Sequence, residues 1–240
     1  LGVQVIQEFG RFISPTAVQV ADTVITARRI VIATGSRPFV PAVPGLKDVP
    51  YYTNENIFDL REQPDHLLVL GGGPIGMEMA QAHRRLGCAV TVIEGQKGFG
   101  KEDPEMAAIV LQKLRGEGIT IVETAWAQNI SCAAGEITVE TSNGTFRGTH
   151  LLVAAGRQVN IEMLNLEAAG IEHHPSGIKV DAGLRSSNRR VYAIGDVASD
   201  LKFTHVAGYH AGIIIRSMLF GLPAKAKVDH IPWATYTDPE

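Results

Sequence analysis

Residues 66–94 read HLLVLGGGPIGMEMAQAHRRLGCAVTVIE, and they contain the clearest structural pattern of the chain. An apolar run over 67–70 leads directly into Gly71-Gly72-Gly73-Pro74-Ile75-Gly76, which is followed by a helical pattern over 74–86 and a second apolar run over 89–93. This order predicts a strand, a glycine turn, a helix and a parallel strand, which together make one βαβ unit. A G-x-G-x-x-G turn in that context is typical of a site for the pyrophosphate of a dinucleotide.

The glycines of this turn have separate physical roles. Gly71 permits the tight turn, Gly73 lets the backbone approach the pyrophosphate, and Gly76 allows the helix to pack closely on the strand. Gly72 and Ile75 complete the loop, so these five residues are the candidate cofactor contacts. Because glycines also make ordinary turns, the motif alone does not exclude a turn that has only a structural role.

Glu94 supplies a second indication, because it ends the second apolar run 23 positions after Gly71. A carboxylate about 20 residues after the glycine turn is typical of a group that binds the adenosine ribose hydroxyls. It would also repel the 2′-phosphate of NADP, so the sequence predicts NAD(H) as the preferred cofactor. Lys97 and Lys101 would soften that preference if they folded back towards the ribose.

The rest of the chain predicts further α/β structure. Alternating apolar residues over 3–20 and 24–32 predict an antiparallel meander that ends in a buried strand, and the prolines between 37 and 50 predict an extended connector. Other expected elements are a helix over 104–115, a strand over 119–122, a hairpin over 130–146 with turns at 134–135 and 143–144, buried strands over 151–156 and 191–194, and an apolar helix over 207–220.

Composition excludes several classes of protein. The chain has 240 residues, is 45% hydrophobic and 20% charged, and is long enough for two packed domains. A net charge of -3 without a basic patch argues against nucleic acid, and no apolar run is long enough for a membrane helix, so we expect a cytoplasmic protein. Cys88 and Cys132 lack redox or zinc spacing, so both are expected to be buried, and the histidines predict no metal site.

Three further positions remain ambiguous from the residues alone. Asp196 follows the buried strand over 191–194, where a carboxylate binds ribityl hydroxyls or merely caps a turn. The same two interpretations apply to Thr34 and Gly35 after the earlier strand. Glu78 is expected in the first turn of the glycine-loop helix, where a carboxylate complements the helix dipole.

Four ordered motifs together carry a family resemblance. They are Ala33-Thr34-Gly35-Ser36-Arg37-Pro38, the glycine loop through Glu78, Ala155-Gly156-Arg157, and Ala193-Ile194-Gly195-Asp196-Val197. With them, the chain resembles the pyridine nucleotide-disulfide oxidoreductases, the family of dihydrolipoamide dehydrogenase, glutathione reductase and mercuric reductase. Residues 204–208 and 231–240 are similar to the mercuric reductase-like and dihydrolipoamide dehydrogenase-like branches.

The resemblance implies an α/β fold in which a Rossmann-like NAD(P)-binding domain, residues 39–157, is inserted in a split FAD-binding domain of the three-layer ββα type. The FAD-binding domain would comprise 1–38 and 158–229, and 230–240 would begin a dimerisation domain. On this resemblance we expect an internal fragment that is monomeric, inactive and nearly free of FAD when isolated, from a parent protein that is a homodimer.

Residue roles on the flavin side follow from the same resemblance. It implies that Asp196 binds the ribityl chain of FAD, that the backbone at Thr204 meets the flavin ring, and that Thr34 and Gly35 belong to an FAD motif. Gly10 matches a position whose backbone meets the FAD adenine, although Glu8 stands where a glycine is usual.

On the nicotinamide side, the resemblance implies that Glu78 is the catalytic residue near the nicotinamide and the flavin edge. Trp126 would cover the NAD adenine, Gly156 would approach the nicotinamide half, and Arg157 would lie at the junction of the two cofactors. Residues 158–160 lack the proline that the family usually has before the asparagine, which affects the stiffness of the turn.

The reaction implied is hydride transfer between nicotinamide and flavin, with electrons passing to a disulfide or another acceptor. In the family, a C-x4-C pair and a His-Glu base complete this chemistry, and we expect both elsewhere in the parent protein. An NADH oxidase or ferredoxin reductase-type flavoprotein without the cysteine pair is the enzymatic alternative. A non-catalytic NAD(H)-binding module is the other, although the second flavin-type strand ending at Asp196 argues against it.

Overall fold

The computed structural model describes residues 2–240, which form sixteen strands, three α-helices and four short 3-10 helices. The strands are β1 (Gly10–Ser14), β2 (Ala17–Val20), β3 (Thr23–Thr26), β4 (Ile30–Ile32), β5 (Ser36–Pro38), β6 (His66–Leu70), β7 (Ala89–Ile93), β8 (Thr120–Val122), β9 (Ala127–Ala133), β10 (Glu136–Thr141), β11 (Gly144–Gly148), β12 (His150–Val153), β13 (Arg157–Val159), β14 (His173–His174), β15 (Gly177–Ile178) and β16 (Val191–Ala193). The helices are α1 (Pro74–Arg85), α2 (Pro104–Gly116) and α3 (Thr204–Leu219), and the 3-10 helices are Leu46–Asp48, Ile57–Asp59, Leu166–Ala169 and Gly195–Ala198.

The chain divides into two compact units. The outer unit comprises residues 2–37 and Gln158–Trp233, and the central unit comprises Pro38–Arg157 and Ala234–Glu240. The chain therefore leaves the outer unit after Arg37 and returns to it at Gln158. Residues 230–240, which we expect to begin a dimerisation domain, are divided here between the two units.

In the central unit, a parallel sheet of order β12-β6-β7-β8 separates two apolar layers. Successive side chains of a strand point to opposite faces, so Leu67 and Val69 pack with residues of α1 and α2. Leu68 and Leu70 pack on the other face, against β9 and β10 of an antiparallel sheet. Full burial of each leucine stabilises the fold by about 1.5–3 kcal/mol relative to an exposed side chain.

The outer unit repeats this layering on a smaller scale. Strands β4 and β16 pair in parallel, and one face of this pair packs against the β1–β3 meander through Phe12. Val191 and Ala193 face that layer, whereas Tyr192, between them, packs with Ile213 and Ile214 of α3. The α/β fold with a Rossmann-like arrangement is therefore confirmed.

Some local predictions were wrong. Residues 3–9 contain no strand, and β1 begins only at Gly10. The expected hairpin over 130–146 is part of a three-stranded sheet, β9–β11. Its first turn lies at 134–135, as predicted, and its second lies at 142–143, one residue before the predicted position. Helix α3 begins three residues earlier than expected, at Thr204.

The two cysteines differ in environment. Cys88 is buried, as expected, and burial raises the pKa of its thiol. Cys132 is exposed, contrary to the prediction, because residues 131–136 at the end of the β9–β10 hairpin are all exposed. Within residues 2–240, no helix combines the length and apolar character needed to cross a bilayer.

Candidate nucleotide-binding sites

The glycine turn lies between the carboxyl end of β6 and α1, and two of its glycines are required by close backbone approach. Gly71 has a φ of 115°, a conformation that side chains disfavour, and a Cβ there would overlap the carbonyl oxygen of Ala154. A Cβ at Gly76 would overlap the carbonyl oxygen of Gly71. These contacts allow the turn to close directly beneath the helix.

Gly73 differs from these two glycines, because open space lies where its Cβ would be. It is the N-cap residue of α1, and no side chain caps that helix end. By contrast, at α2 the carboxylate of Asp103 accepts hydrogen bonds from the N–H groups of Glu105 and Met106. An uncapped helix N-terminus with open space in front of it is suited to an anionic group such as a pyrophosphate.

Glu94 lies against this turn, as its spacing predicts. Its Oε2 accepts a 2.6 Å hydrogen bond from the Gly72 N–H, and its Oε1 accepts one of 2.7 Å from the Gln96 N–H. Each carboxylate oxygen has a second lone pair, so the two bonds fix the direction of the carboxylate and leave acceptor capacity. Lys97 and Lys101 are exposed, and neither forms an ion pair with Glu94 in the described part of the chain.

Trp126 lies beside Glu94 as well. Its ring packs over Gly95, where an added Cβ would meet the ring at 2.7 Å, and the side chain is 60% exposed. The Ser142 Oγ accepts a 3.2 Å hydrogen bond from the Trp126 N–H, which fixes the backbone under the ring. A large exposed aromatic surface therefore lies next to the carboxylate predicted to bind a ribose.

The motif Ala155-Gly156-Arg157, which follows β12, lies on the side of the glycine turn opposite to Glu94. Ala154, which Gly71 approaches, immediately precedes the exposed residues Ala155 and Gly156. The Gly156 carbonyl accepts a 2.9 Å hydrogen bond from the Phe39 N–H, and the direction of its missing Cβ is open. Arg157 follows and is half-buried. Two motifs that are distant in sequence thus meet at one sheet edge.

Glu78 occupies the fifth position of α1, beyond the first turn in which we expected it. Its Oε1 accepts a 2.9 Å hydrogen bond from the Tyr236 N–H. The helix-dipole interpretation depends on a place in the first turn, because the dipole effect falls off beyond it. The structure therefore favours a role for Glu78 other than complementing the helix dipole.

In the outer unit, the two flavin-type motifs also come together. Because β4 and β16 are parallel, Thr34 and Asp196 follow strands whose carboxyl ends share an edge. The Ser36 Oγ donates a 2.5 Å hydrogen bond to Oδ2 of Asp196, which is half-buried. Gly195, with a φ of 69°, donates its N–H to Nδ1 of His210 at 3.2 Å. Burial lowers the pKa of His210, which favours the neutral ring that accepts this bond.

Asn160 holds the segment Thr34–Arg37, a role that we did not predict from the sequence. Its Nδ2 donates to the Thr34 carbonyl at 2.9 Å and its N–H to the Gly35 carbonyl at 3.0 Å. Its Oδ1 accepts a 2.7 Å hydrogen bond from Arg37, whose guanidinium also pairs with Glu162 at 2.7 Å and lowers the pKa of that carboxyl to about 2. The only sequence signal for this role is the family motif at 158–160.

The other predicted flavin contacts lie on β1 and α3. Gly10 opens β1 opposite Val20, and Thr204 is the exposed first residue of α3. Among residues 2–240, no group of three or more His, Cys, Asp or Glu residues is arranged to hold a metal ion.

These elements define an α/β protein with a Rossmann-like nucleotide-binding fold. A family model described as pyridine nucleotide-disulphide oxidoreductase matches residues 1–211. The chain therefore belongs to the pyridine nucleotide-disulphide oxidoreductases, a family of FAD-dependent oxidoreductases that also bind a pyridine nucleotide.

Two similar curated proteins are mercuric reductases. That of Acidithiobacillus ferrooxidans is 36% identical over 220 residues, which cover 91% of this chain and 40% of the relative. That of Staphylococcus aureus is 34% identical over 246 residues, which cover 99% of this chain and 45% of the relative. The chain thus spans less than half the length of either relative.

Two solved structures share the fold. The HOCl-induced flavoprotein disulfide reductase RclA from Escherichia coli superposes with a TM-score of 0.91 at 30% identity, covering 98% of this chain and 55% of that one. LpdA from Mycobacterium tuberculosis gives a TM-score of 0.89 at 26% identity, covering 99% of this chain and 55% of that one.

Proposed function

We propose that this chain provides the NAD(H)-binding domain and part of the FAD-binding domain of a disulfide oxidoreductase similar to mercuric reductase and dihydrolipoamide dehydrogenase. The observation that carries the proposal is the meeting of the glycine turn, Glu94 and Ala154–Gly156 at one edge of the central sheet. When bound, the two cofactors supply hydride transfer between nicotinamide and flavin, and the protein positions them.

The central unit fits a dinucleotide. The open space at Gly73 and the uncapped α1 N-terminus would hold the pyrophosphate, and Glu94, fixed by two backbone N–H groups, would accept hydrogen bonds from the adenosine ribose. Trp126 offers an exposed ring to the adenine beside that ribose site. Glu78, Gly156 and Arg157 would face the nicotinamide half, an assignment that rests on the family pattern.

The outer unit fits one part of a flavin site. Asp196, held by Ser36 at the edge shared by β4 and β16, would bind the ribityl chain, and Thr204, Thr34, Gly35 and Gly10 are the other proposed contacts. We accordingly assign residues 1–38 and 158–229 to FAD, 39–157 to NAD(H) and 230–240 to the start of a dimerisation domain. The whole protein is proposed to work as a homodimer with a redox cysteine pair.

Calorimetric titration with NADH and NADPH tests the nicotinamide assignment. We expect NADH to bind more tightly, and Glu94→Arg to shift the preference towards NADPH by about tenfold or more, because it removes a repelling carboxylate and adds a phosphate partner. Glu62→Arg is the matched control, since it makes the same charge change on an exposed loop. Equal affinities in the unchanged protein, or an unaltered preference in Glu94→Arg, would overturn the assignment of Glu94 to the ribose.

A further inference from the structure

Three side chains on one face of α1 hold a short segment near the end of the sequence, residues 236–238. They are Glu78, Gln81 and Arg85, whose spacing of three and then four residues places them one above another on a helix. Glu78 accepts from the Tyr236 N–H, and Nη2 of Arg85 pairs with Oδ2 of Asp238 at 2.7 Å. The segment and the helix both belong to the central unit.

Gln81 makes the most specific of these contacts. Its side chain lies in the interior, with 4% exposed, and both ends of its amide bind the backbone of one residue. Nε2 donates to the Asp238 carbonyl at 2.9 Å, and Oε1 accepts the Asp238 N–H at 2.9 Å. Because a buried polar group without partners is strongly disfavoured, this pair fixes where the segment crosses the helix.

Two hydrogen bonds donated by backbone N–H groups connect the fixed segment to Glu78. The Thr237 side chain is buried, and its N–H donates to the Thr235 carbonyl at 2.8 Å, which closes a three-residue turn around Tyr236. That turn presents the Tyr236 N–H to Oε1 of Glu78 at 2.9 Å. The contact is made by the backbone of Tyr236, and the residue is 76% exposed.

We propose that Gln81 is a positioning residue for Glu78, and that it acts by clamping residues 236–238 so that the Tyr236 N–H holds the Glu78 carboxylate in one direction. This inference rests on the proposed function, in which Glu78 lies at the nicotinamide edge. One oxygen of the carboxylate binds the segment, and the other is thereby directed away from it.

The charge of the nicotinamide ring gives this arrangement a measurable consequence. The oxidised ring of NAD+ carries a positive charge and the reduced ring of NADH does not. A directed carboxylate beside the ring therefore favours NAD+ over NADH, whereas ADP-ribose, which lacks the ring, is insensitive to it. The ratio of the NAD+ and NADH dissociation constants reports the position of Glu78, and ADP-ribose reports the rest of the site.

The sharpest test compares Tyr236→Pro with Tyr236→Ala. Proline has no N–H but fits the negative φ of such a turn, and alanine keeps the N–H and removes the ring. In titrations of the full chain with NAD+, NADH and ADP-ribose, we expect Tyr236→Pro to reduce the relative affinity for NAD+ by about three- to tenfold. Tyr236→Ala should leave the ratio unchanged, and ADP-ribose should bind all of these proteins equally.

Gln81→Met and Glu78→Gln complete the experiment. Both should lower the NAD+ to NADH preference, and their effects should not add in the double variant, because Gln81 acts through Glu78. If Glu78→Gln changes the ratio and neither Tyr236→Pro nor Gln81→Met does, the positioning role is overturned. The same follows if the variants weaken ADP-ribose and NADH equally. Failure of all three ligands to bind the unchanged protein would instead overturn the proposed function.

Discussion

The turn at Gly71–Gly76 and the segment Thr34–Arg37 both follow a parallel strand, yet they are held in different ways. In the central unit, backbone packs on backbone, with Gly71 against Ala154 and Gly76 against Gly71. In the outer unit, side-chain hydrogen bonds from Asn160 to Thr34 and from Ser36 to Asp196 add to a backbone bond from the Asn160 N–H to the Gly35 carbonyl. Steric closure requires glycine at fixed positions, whereas side-chain closure depends on residues more than a hundred positions away.

The largest expected loss of stability is that caused by a substitution at Gly76, and it tests the steric closure of the central turn. We expect Gly76→Ala to destabilise the protein by about 3 kcal/mol, because its Cβ would overlap the Gly71 carbonyl oxygen and force the helix off the strand. Urea unfolding followed by circular dichroism measures the loss.

Gly73→Ala is the matched control, the same substitution three residues earlier in the same loop. Open space at its Cβ position leaves only the preference of an N-cap for glycine over alanine, so we expect a loss of no more than about 1 kcal/mol, together with weaker NADH binding where the methyl meets the pyrophosphate. If Gly76→Ala and Gly73→Ala unfold at the same urea concentration, backbone approach does not hold the central turn.

A smaller effect is expected at Asn160 in the outer unit. Asn160→Ala removes the bonds of its side chain to Thr34 and Arg37, which should cost about 1–2 kcal/mol of unfolding free energy. Hydrogen exchange at the amides of residues 34–37 should accelerate in the same variant. Gln158→Ala, which loses one exposed hydrogen bond to Glu162, should change neither quantity measurably. Equal exchange rates in the two variants would show that Asn160 does not stabilise residues 34–37.

The smallest expected effect on stability is that of the Arg37–Glu162 ion pair. The Arg37–Glu162 pair is exposed, so it should contribute no more than about 1 kcal/mol. Because Arg37 lowers the pKa of Glu162 to about 2, below the unfolded value of about 4.3, the unfolded chain binds more protons between these values. The contribution is therefore fully present above about pH 4.3 and is lost as the pH falls towards 2.

Unfolding of Glu162→Gln across this pH range measures that contribution. The difference from the unchanged protein should be constant above about pH 5 and shrink in acid. In an Arg37→Met background the same substitution should produce a weaker pH dependence, because only the backbone N–H groups of Ile161 and Glu162 then lower the pKa of the carboxyl. A difference that does not shrink between about pH 5 and about pH 2 would mean that Glu162 acts through packing, since an electrostatic contribution must decrease over the range in which the unfolded chain binds more protons than the folded one.

These contrasts explain what the sequence could predict. The alternation of Leu67 to Leu70 and the G-x-G-x-x-G spacing are local, so the βαβ unit and the position of Glu94 beside it followed directly from them. His210 and Asn160 carry no local pattern, because their partners are brought near only by the folded sheet. The bond from Tyr236 to Glu78 escaped prediction for the same reason.

The 2.9 Å hydrogen bond from the Phe39 N–H to the Gly156 carbonyl brings together the two ends of the 38–157 segment. A segment whose ends meet closes its own loop, so a neighbouring fold can accommodate it at little entropic cost, whatever its length. A segment of this kind can be exchanged as a unit between related genes. A designer could exchange residues 38–157 for the corresponding stretch of a relative with a different coenzyme preference, with two backbone junctions and the contacts of α1 to residues 236–238 retained.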